Sequence, residues 1–279
     1  MKISEYIPYT KKIISISDMQ SIESETHKHF EDAFFRTEYY IRQSKSWIDS
    51  SEFKEKLYAD IQYAAENGYK RILLRAPDIQ LNELAIYDAR FNKEDNSIIG
   101  HRGIRIQHLY HDYFSDFREL YQEIISSFSL SVEIVWPYVT QLRECDLFEL
   151  TPSYYIMVET PALLIDLVQK RIRKEIKGYV IGLNDLYSLY FGASRQVSYY
   201  RQDMSELINF TIEMIEKSKI EKKYIYWAGY YAEKDARLIV EKGFENLIID
   251  QQALTCTDST MDKVWGLYDK QLEKIRRVL

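Results

Sequence analysis

The chain has 279 residues, 46% of them hydrophobic and 29% charged, the balance of a soluble globular protein with apolar mass for one large core. A formal net charge of −6 argues against nonspecific nucleic-acid binding, no apolar run approaches the length of a membrane span, and the sequence predicts no signal peptide. Cys145 and Cys256 are the only cysteines and lack metal-ligand spacing, which excludes a Cys-rich zinc site and fits a reducing cytoplasm.

Residues 1–30 read as a polar lead-in, with a short helix over Ser17–Glu25 and a His27/His29 pair best taken as a solvated turn. Ala33–Tyr40 reads as a first strand carrying Arg36 and Glu38 at its end. Phe53–Asn67 has helical periodicity and stops at Gly68. Arg71–Arg75 is a second strand, broken by Pro77 and Asp78. Gly100–Ile106 is a third strand candidate, Tyr113–Ser127 a helix and Val132–Pro137 a fourth strand with a short connection to the fifth. The fifth ends at Glu159, where Thr160 and Pro161 have the chemistry of an N-cap and first helical position for a helix over Ala162–Ile176. The sixth lies in Ile181–Leu186 and ends on Asp185, Ser205–Lys217 is an amphipathic helix, Tyr224–Gly229 and Asn246–Asp250 are strands seven and eight, and a charged helix over residues 258–279 closes the chain. Eight strands alternating with helices predict an α/β fold, a single-domain (β/α)8 TIM barrel over residues 1–279. The absence of a glycine-rich dinucleotide fingerprint or P-loop speaks against open nucleotide-binding sheets.

Active sites of such barrels lie at the C-terminal ends of the strands, which here gather Arg36, Arg75, Glu159, Asn184 and Asp185, with Arg102 and Arg195 close by. Two acids on neighbouring strands can share a hard cation, Mg²⁺ or Mn²⁺, and arginine forks bind phosphate and carboxylate. A small anion bearing both groups satisfies that set. The alternative is structural: Glu159 and Asp185 as acids placed by helix dipoles, and the arginines in rim ion pairs with Glu38, Asp78 or Glu94.

Six segments then fall in the order of a known family. Phe35-Arg36-Thr37-Glu38-Tyr39, Leu74-Arg75-Ala76-Pro77-Asp78-Ile79, Glu94-Asp95-Asn96 with Gly100-His101-Arg102-Gly103-Ile104-Arg105, Val158-Glu159-Thr160-Pro161-Ala162, Gly182-Leu183-Asn184-Asp185-Leu186, and Arg195 ten residues after Asp185 are similar to motifs of the phosphoenolpyruvate-utilising enzymes. The chain resembles their C-terminal barrel, found in enzyme I of the sugar phosphotransferase system, pyruvate phosphate dikinase and phosphoenolpyruvate synthase, from about Ile16 to about Leu254.

The resemblance implies that Glu159 and Asp185 hold Mg²⁺, that Arg75, Arg102 and Arg195 hold phosphoenolpyruvate with support from Arg36, and that Asn184 contacts the phosphate. Departures accompany it. The family's seventh strand ends in Cys-Gly-Glu, with the cysteine as proton donor; here Ala228-Gly229-Tyr230 stands there, so Tyr230 or Tyr231 would have to substitute. No phosphohistidine-domain segment occurs, so a phosphoryl acceptor would be a small molecule or a separate phosphohistidine-carrying protein. Two functions follow: a transferase, or a lyase using the same enolate site, and a regulatory module that binds the anion without turnover. A cytoplasmic homodimer is the expectation, with neither nucleic acid nor membrane as partner.

Overall fold

The structure, a computed structural model, describes residues 11–16, 30–91, 100–110, 112, 114–147, 153–169, 173–193, 204–229 and 233–250. Eight parallel strands close into a barrel: β1 (Lys11–Ile16), β2 (Asp32–Arg36), β3 (Arg71–Arg75), β4 (Ser131–Val139), β5 (Tyr154–Val158), β6 (Ile176–Gly182), β7 (Ile225–Ala228) and β8 (Asn246–Asp250). β1 completes the ring by pairing with both β2 and β8. Helices α1 (Thr37–Ser44), α2 (Ser51–Glu66), α3 (Leu81–Tyr87), α4 (Ser115–Ser127), α5 (Pro161–Gln169), α6 (Leu183–Phe191), α7 (Met204–Ser218) and α8 (Glu233–Glu241) follow β2, β3, β5, β6 and β7, and among the described residues a 3-10 turn, Leu142–Leu147, stands between β4 and β5.

Strand alternation sorts the side chains into two shells. Phe35, Leu74, Ile134, Trp136, Ile156, Val158, Ile181, Trp227 and Leu247 point outward and pack under the helices. Ile13, Phe34, Leu73, Val135, Met157, Val180, Ala228 and Ile248 fill the lumen. Two residues further along β2, β3, β5 and β8, the inward positions become Arg36, Arg75, Glu159 and Asp250, at the C-terminal mouth. Two residues before the apolar layer, the base is also polar. There Arg71 contacts Asp32, lies 3.3 Å from Glu133, and donates to the Tyr155 hydroxyl at 3.0 Å.

Several predicted boundaries move. The lead-in contains β1, and the strand after it ends at Arg36 rather than Tyr40, because Thr37 donates its hydroxyl to the Arg75 carbonyl at 2.8 Å and α1 begins there. Gly100–Ile106 is not a strand: Gly103 takes φ +52° and opens a 3-10 turn, Gly103–His108, leaving one isolated bridge between Gln80 and Arg102. β6 starts at Ile176, where the preceding helix was expected to end, and stops at Gly182, so Asp185 sits in the first turn of α6 rather than on the strand. The capping prediction holds, with Thr160 Oγ1 accepting from Leu163 N–H at 3.2 Å. Ser17–Glu25, the His27/His29 pair and the closing helix over 258–279 lie outside the described residues.

Gly178 marks a tight approach inside the sheet. A Cβ there would stand 2.5 Å from the Tyr155 ring and 3.0 Å from the Tyr224 carbonyl. Gly178→Ala is expected to cost roughly 1–3 kcal/mol in urea unfolding, the usual penalty for overpacking.

Candidate metal and anion site

The loops after β3, β5 and β6 each contribute one carboxylate to the mouth. Pro77 stops β3 and delivers Asp78; Glu159 follows β5; Asp185 comes from the first turn of α6, where the helix dipole favours an acid. Ligand oxygens of Asp78, Glu159 and Asp185 lie within 4.8 Å of one another, and Asp78 and Glu159 are fully enclosed. Three hard oxygen donors at that spacing fit a small divalent cation, whose opposed ligands stand about 4.2 Å apart across an octahedron.

Backbone geometry fixes Glu159. β4 bulges between Trp136 and Val139, and Tyr138 takes a left-handed φ of 58°, which aims its N–H at Glu159 Oε2, 2.9 Å away. On the other side Gly182 leaves room, since a Cβ there would come within 2.5 Å of Glu159 Cγ.

Two arginines hold the acids together. Arg102 forks both: Nε and Nη2 donate to Asp78 at 2.6 and 2.7 Å, and Nη1 and Nη2 donate to Asp185 at 3.0 Å each. Its guanidinium lies 5.0 Å from the Tyr138 ring centroid, as does that of Arg105. Arg75 contacts Glu38, stands 3.1 Å from Asp78 and 3.9 Å from Glu159. Burial works against the charge of both arginines, but the surrounding carboxylates more than offset it and hold them firmly protonated. Glu159 is pushed up to about 8, first by burial and then by the charges of Asp78 and Asp185, against the opposing pull of Arg75 and Arg102. Across the mouth Arg36 pairs with Asp250 at 2.9 Å and lies over Tyr39. The cavity at the mouth is about 150 Å³; its lining carries four arginines (Arg36, Arg42, Arg75, Arg102) and five carboxyl groups (Glu38, Asp78, Glu159, Asp185, Asp250), with Asn184, Ser15 and Ala228 beside them.

The matched family is the PEP-utilising enzyme, PEP-binding domain, over residues 10–151. The chain belongs to this family. A comparison with curated proteins finds no match. Among solved structures, the barrel resembles Haloferax volcanii malate synthase in a pyruvate/acetyl-CoA ternary complex (TM-score 0.52, 10% identity, covering 93% of this chain and 76% of that one). It also resembles the citrate lyase β subunit from M. tuberculosis, complexed with oxaloacetate and magnesium (TM-score 0.51, 10% identity, 91% and 96%), and a citrate synthase variant (TM-score 0.51, 12% identity, 96% and 94%). At these identities the likeness establishes the barrel.

Of the residues expected at this PEP-family mouth, Arg36, Arg75, Arg102, Glu159, Asn184 and Asp185 all line one cavity. Arg195 and Tyr230 lie outside the described residues. The rim ion pairs weighed as an alternative also exist, since Arg75 meets Glu38 and Asp78, and Arg102 meets Asp78. Asp78 is the member of the triad that sequence reasoning did not place as a ligand. The signal was a buried strand ending at Arg75 with an acid three residues on, in a segment already quoted for its likeness.

A carboxyl group must lose its proton to hold a cation, so Mg²⁺ affinity is expected to rise with pH through about 8, and Glu159→Gln to remove that dependence in calorimetric titrations. In the metal-free protein the sign for stability is opposite. Between the ordinary value of 4.5 and about 8 the folded state keeps a proton that the unfolded chain has released. Stability from urea unfolding should therefore fall as pH rises across that window, and fall less in Glu159→Gln.

Proposed function

We propose that the chain binds phosphoenolpyruvate, or a related 2-oxo acid, together with Mg²⁺ or Mn²⁺ at this mouth, and that it supports enolate chemistry there. The observation that carries this reading is the Asp78–Glu159–Asp185 triad with Arg75 and Arg102 laid against it. The three carboxylates hold the ion, which when bound supplies Lewis-acid charge to the oxygens of the oxo acid. Arg75 and Arg102 offer N–H forks to carboxylate and phosphate groups, Arg36 adds charge from β2, and the Asn184 amide reaches a phosphate oxygen. Arg195 joins the set on resemblance, and Tyr230 as the residue that would have to stand in for the family's proton-donating cysteine. The citrate lyase β subunit, a barrel of this shape, is complexed with oxaloacetate and magnesium, which supports the ligand class.

Phosphoryl transfer is the first reaction proposed, with a partner's phosphohistidine or a small molecule as acceptor, in a cytoplasmic homodimer. Lyase chemistry at the same enolate is the variant within it. One observation favours a second reading, an anion-binding regulatory module: β7 ends on Ala228, which lines the cavity and has no proton to give.

Two measurements separate these. Phosphoenolpyruvate titrated by calorimetry is expected to bind at least tenfold more tightly with Mg²⁺ than without, and Glu159→Gln is expected to lose the difference; no binding under either condition rejects the ligand. Pyruvate incubated in D₂O with protein and Mg²⁺ then reports enolisation. Exchange of the methyl protons, followed by NMR, supports an enzyme, whereas binding without exchange supports the module.

A further inference from the structure

The arginine that clamps the triad stands where the metal has to act. Arg102 uses both edges of its guanidinium, one on each of Asp78 and Asp185, and reaches both oxygens of each carboxylate. These are two of the three residues that can hold the ion. A divalent cation taking oxygens at about 2.0–2.1 Å would face a guanidinium that shares the same oxygens, so like charges meet across both carboxylates. Arg75 is placed differently, because Glu38 remains as its partner if Asp78 turns to a metal. Among the described residues, Asp78 and Asp185 are the carboxylates that Arg102 contacts. The Tyr138 ring beside the guanidinium gives a displaced Arg102 an aromatic face to rest on.

We infer that Arg102 and the metal exchange places on Asp78 and Asp185, so that metal entry frees a guanidinium for the incoming anion and the two ligands bind cooperatively through it. The inference rests on the reading of the mouth as a Mg²⁺–oxo-acid site. The charges of the cavity support it: four arginines face five carboxyl groups, so without the ion no surplus of positive charge awaits an anion among the described residues. By linkage, the factor by which Mg²⁺ raises anion affinity equals the factor by which the anion raises Mg²⁺ affinity.

The test is calorimetric titration of Mg²⁺ with and without phosphoenolpyruvate, on wild type, Arg102→Gln and Arg102→Lys, with thermal melts to score folding. Arg102→Gln is expected to bind Mg²⁺ alone several-fold more tightly than wild type, and to lose at least threefold of the coupling. Arg102→Lys keeps the charge but cannot fork two carboxylates, so it should move in the same direction, and it carries the test if Arg102→Gln does not fold. Mg²⁺ affinity unchanged or weaker in a folded variant overturns the exchange. A lysine variant equal to wild type beside a tighter glutamine variant overturns it too, leaving simple charge repulsion. If wild type binds no Mg²⁺, or binds it equally well as Glu159→Gln, the underlying site reading fails instead.

Discussion

Three carboxylates cannot share one enclosed mouth unless cations stand among them. At about 4 Å in a medium of effective dielectric near 20, a pair of like charges repels by about 4 kcal/mol, and here three acids converge. The protein answers in two ways. Arg75 and Arg102 lie between the acids, and Glu159, the most enclosed, resists ionisation. Each answer is provisional in chemical terms. A proton can be exchanged for a metal ion, and a guanidinium bridging two acids can be exchanged for the same ion. On the proposed reading, the site is therefore held in a form that a divalent cation would relieve.

That arrangement needs a frame that does not yield. The bulge in β4 forces Tyr138 into a left-handed conformation and fixes one oxygen of Glu159 by a backbone N–H, while the missing Cβ of Gly182 lets β6 approach its other side. The Thr37 hydroxyl ties the start of α1 to the last carbonyl of β3, holding Arg36 and Arg75 in register on adjacent strands. At the opposite end, Arg71 gathers acids and tyrosines from β2, β4, β5 and β7. That cluster closes the base and reads as stability, since chemistry in these barrels belongs to the C-terminal face.

Much of this was legible in the sequence because buried parallel strands write continuous apolar runs bounded by charges. Arg71–Arg75 and Asn246–Asp250 were read with the bounds the structure shows, and Thr160-Pro161 announced α5. The failures have local causes. β1 is a short run that opens on two lysines, and one of its partners, β8, lies at the far end of the chain, so little in its own sequence identified it. Gly100–Ile106 alternates like a strand, but Gly103 needs a left-handed φ: a Cβ there would press within 3.0–3.1 Å of Tyr138 Cβ and the Pro137 carbonyl. Asp78 was hidden by its neighbours, because an acid after Arg75-Ala76-Pro77 looks like loop chemistry until β3, β5 and β6 are set side by side.

The floor beneath the charges explains why Arg36, Arg75 and Arg102 each stand against a carboxylate. Phe34, Leu73, Val135, Met157, Val180, Ala228 and Ile248 form an apolar plug directly under the mouth, so the acids and arginines face protein below and solvent through the opening. In such a place an unpaired charge is costly and a paired one is held hard. Arg75 even turns toward the Met157 sulfur, 3.3 Å away, while Glu38 and Asp78 hold it. The same apolar floor has a chemical consequence. Charge developing on a bound oxo acid would meet fixed guanidinium and amide dipoles rather than mobile water, and those dipoles act most strongly where water is excluded. On the β7 side the wall is Ala228, with neither acid nor base. Among the described residues, an enolate held here would be stabilised by the β3–β5–β6 side and would meet no proton donor at Ala228. That asymmetry suits a reaction whose second partner arrives from elsewhere.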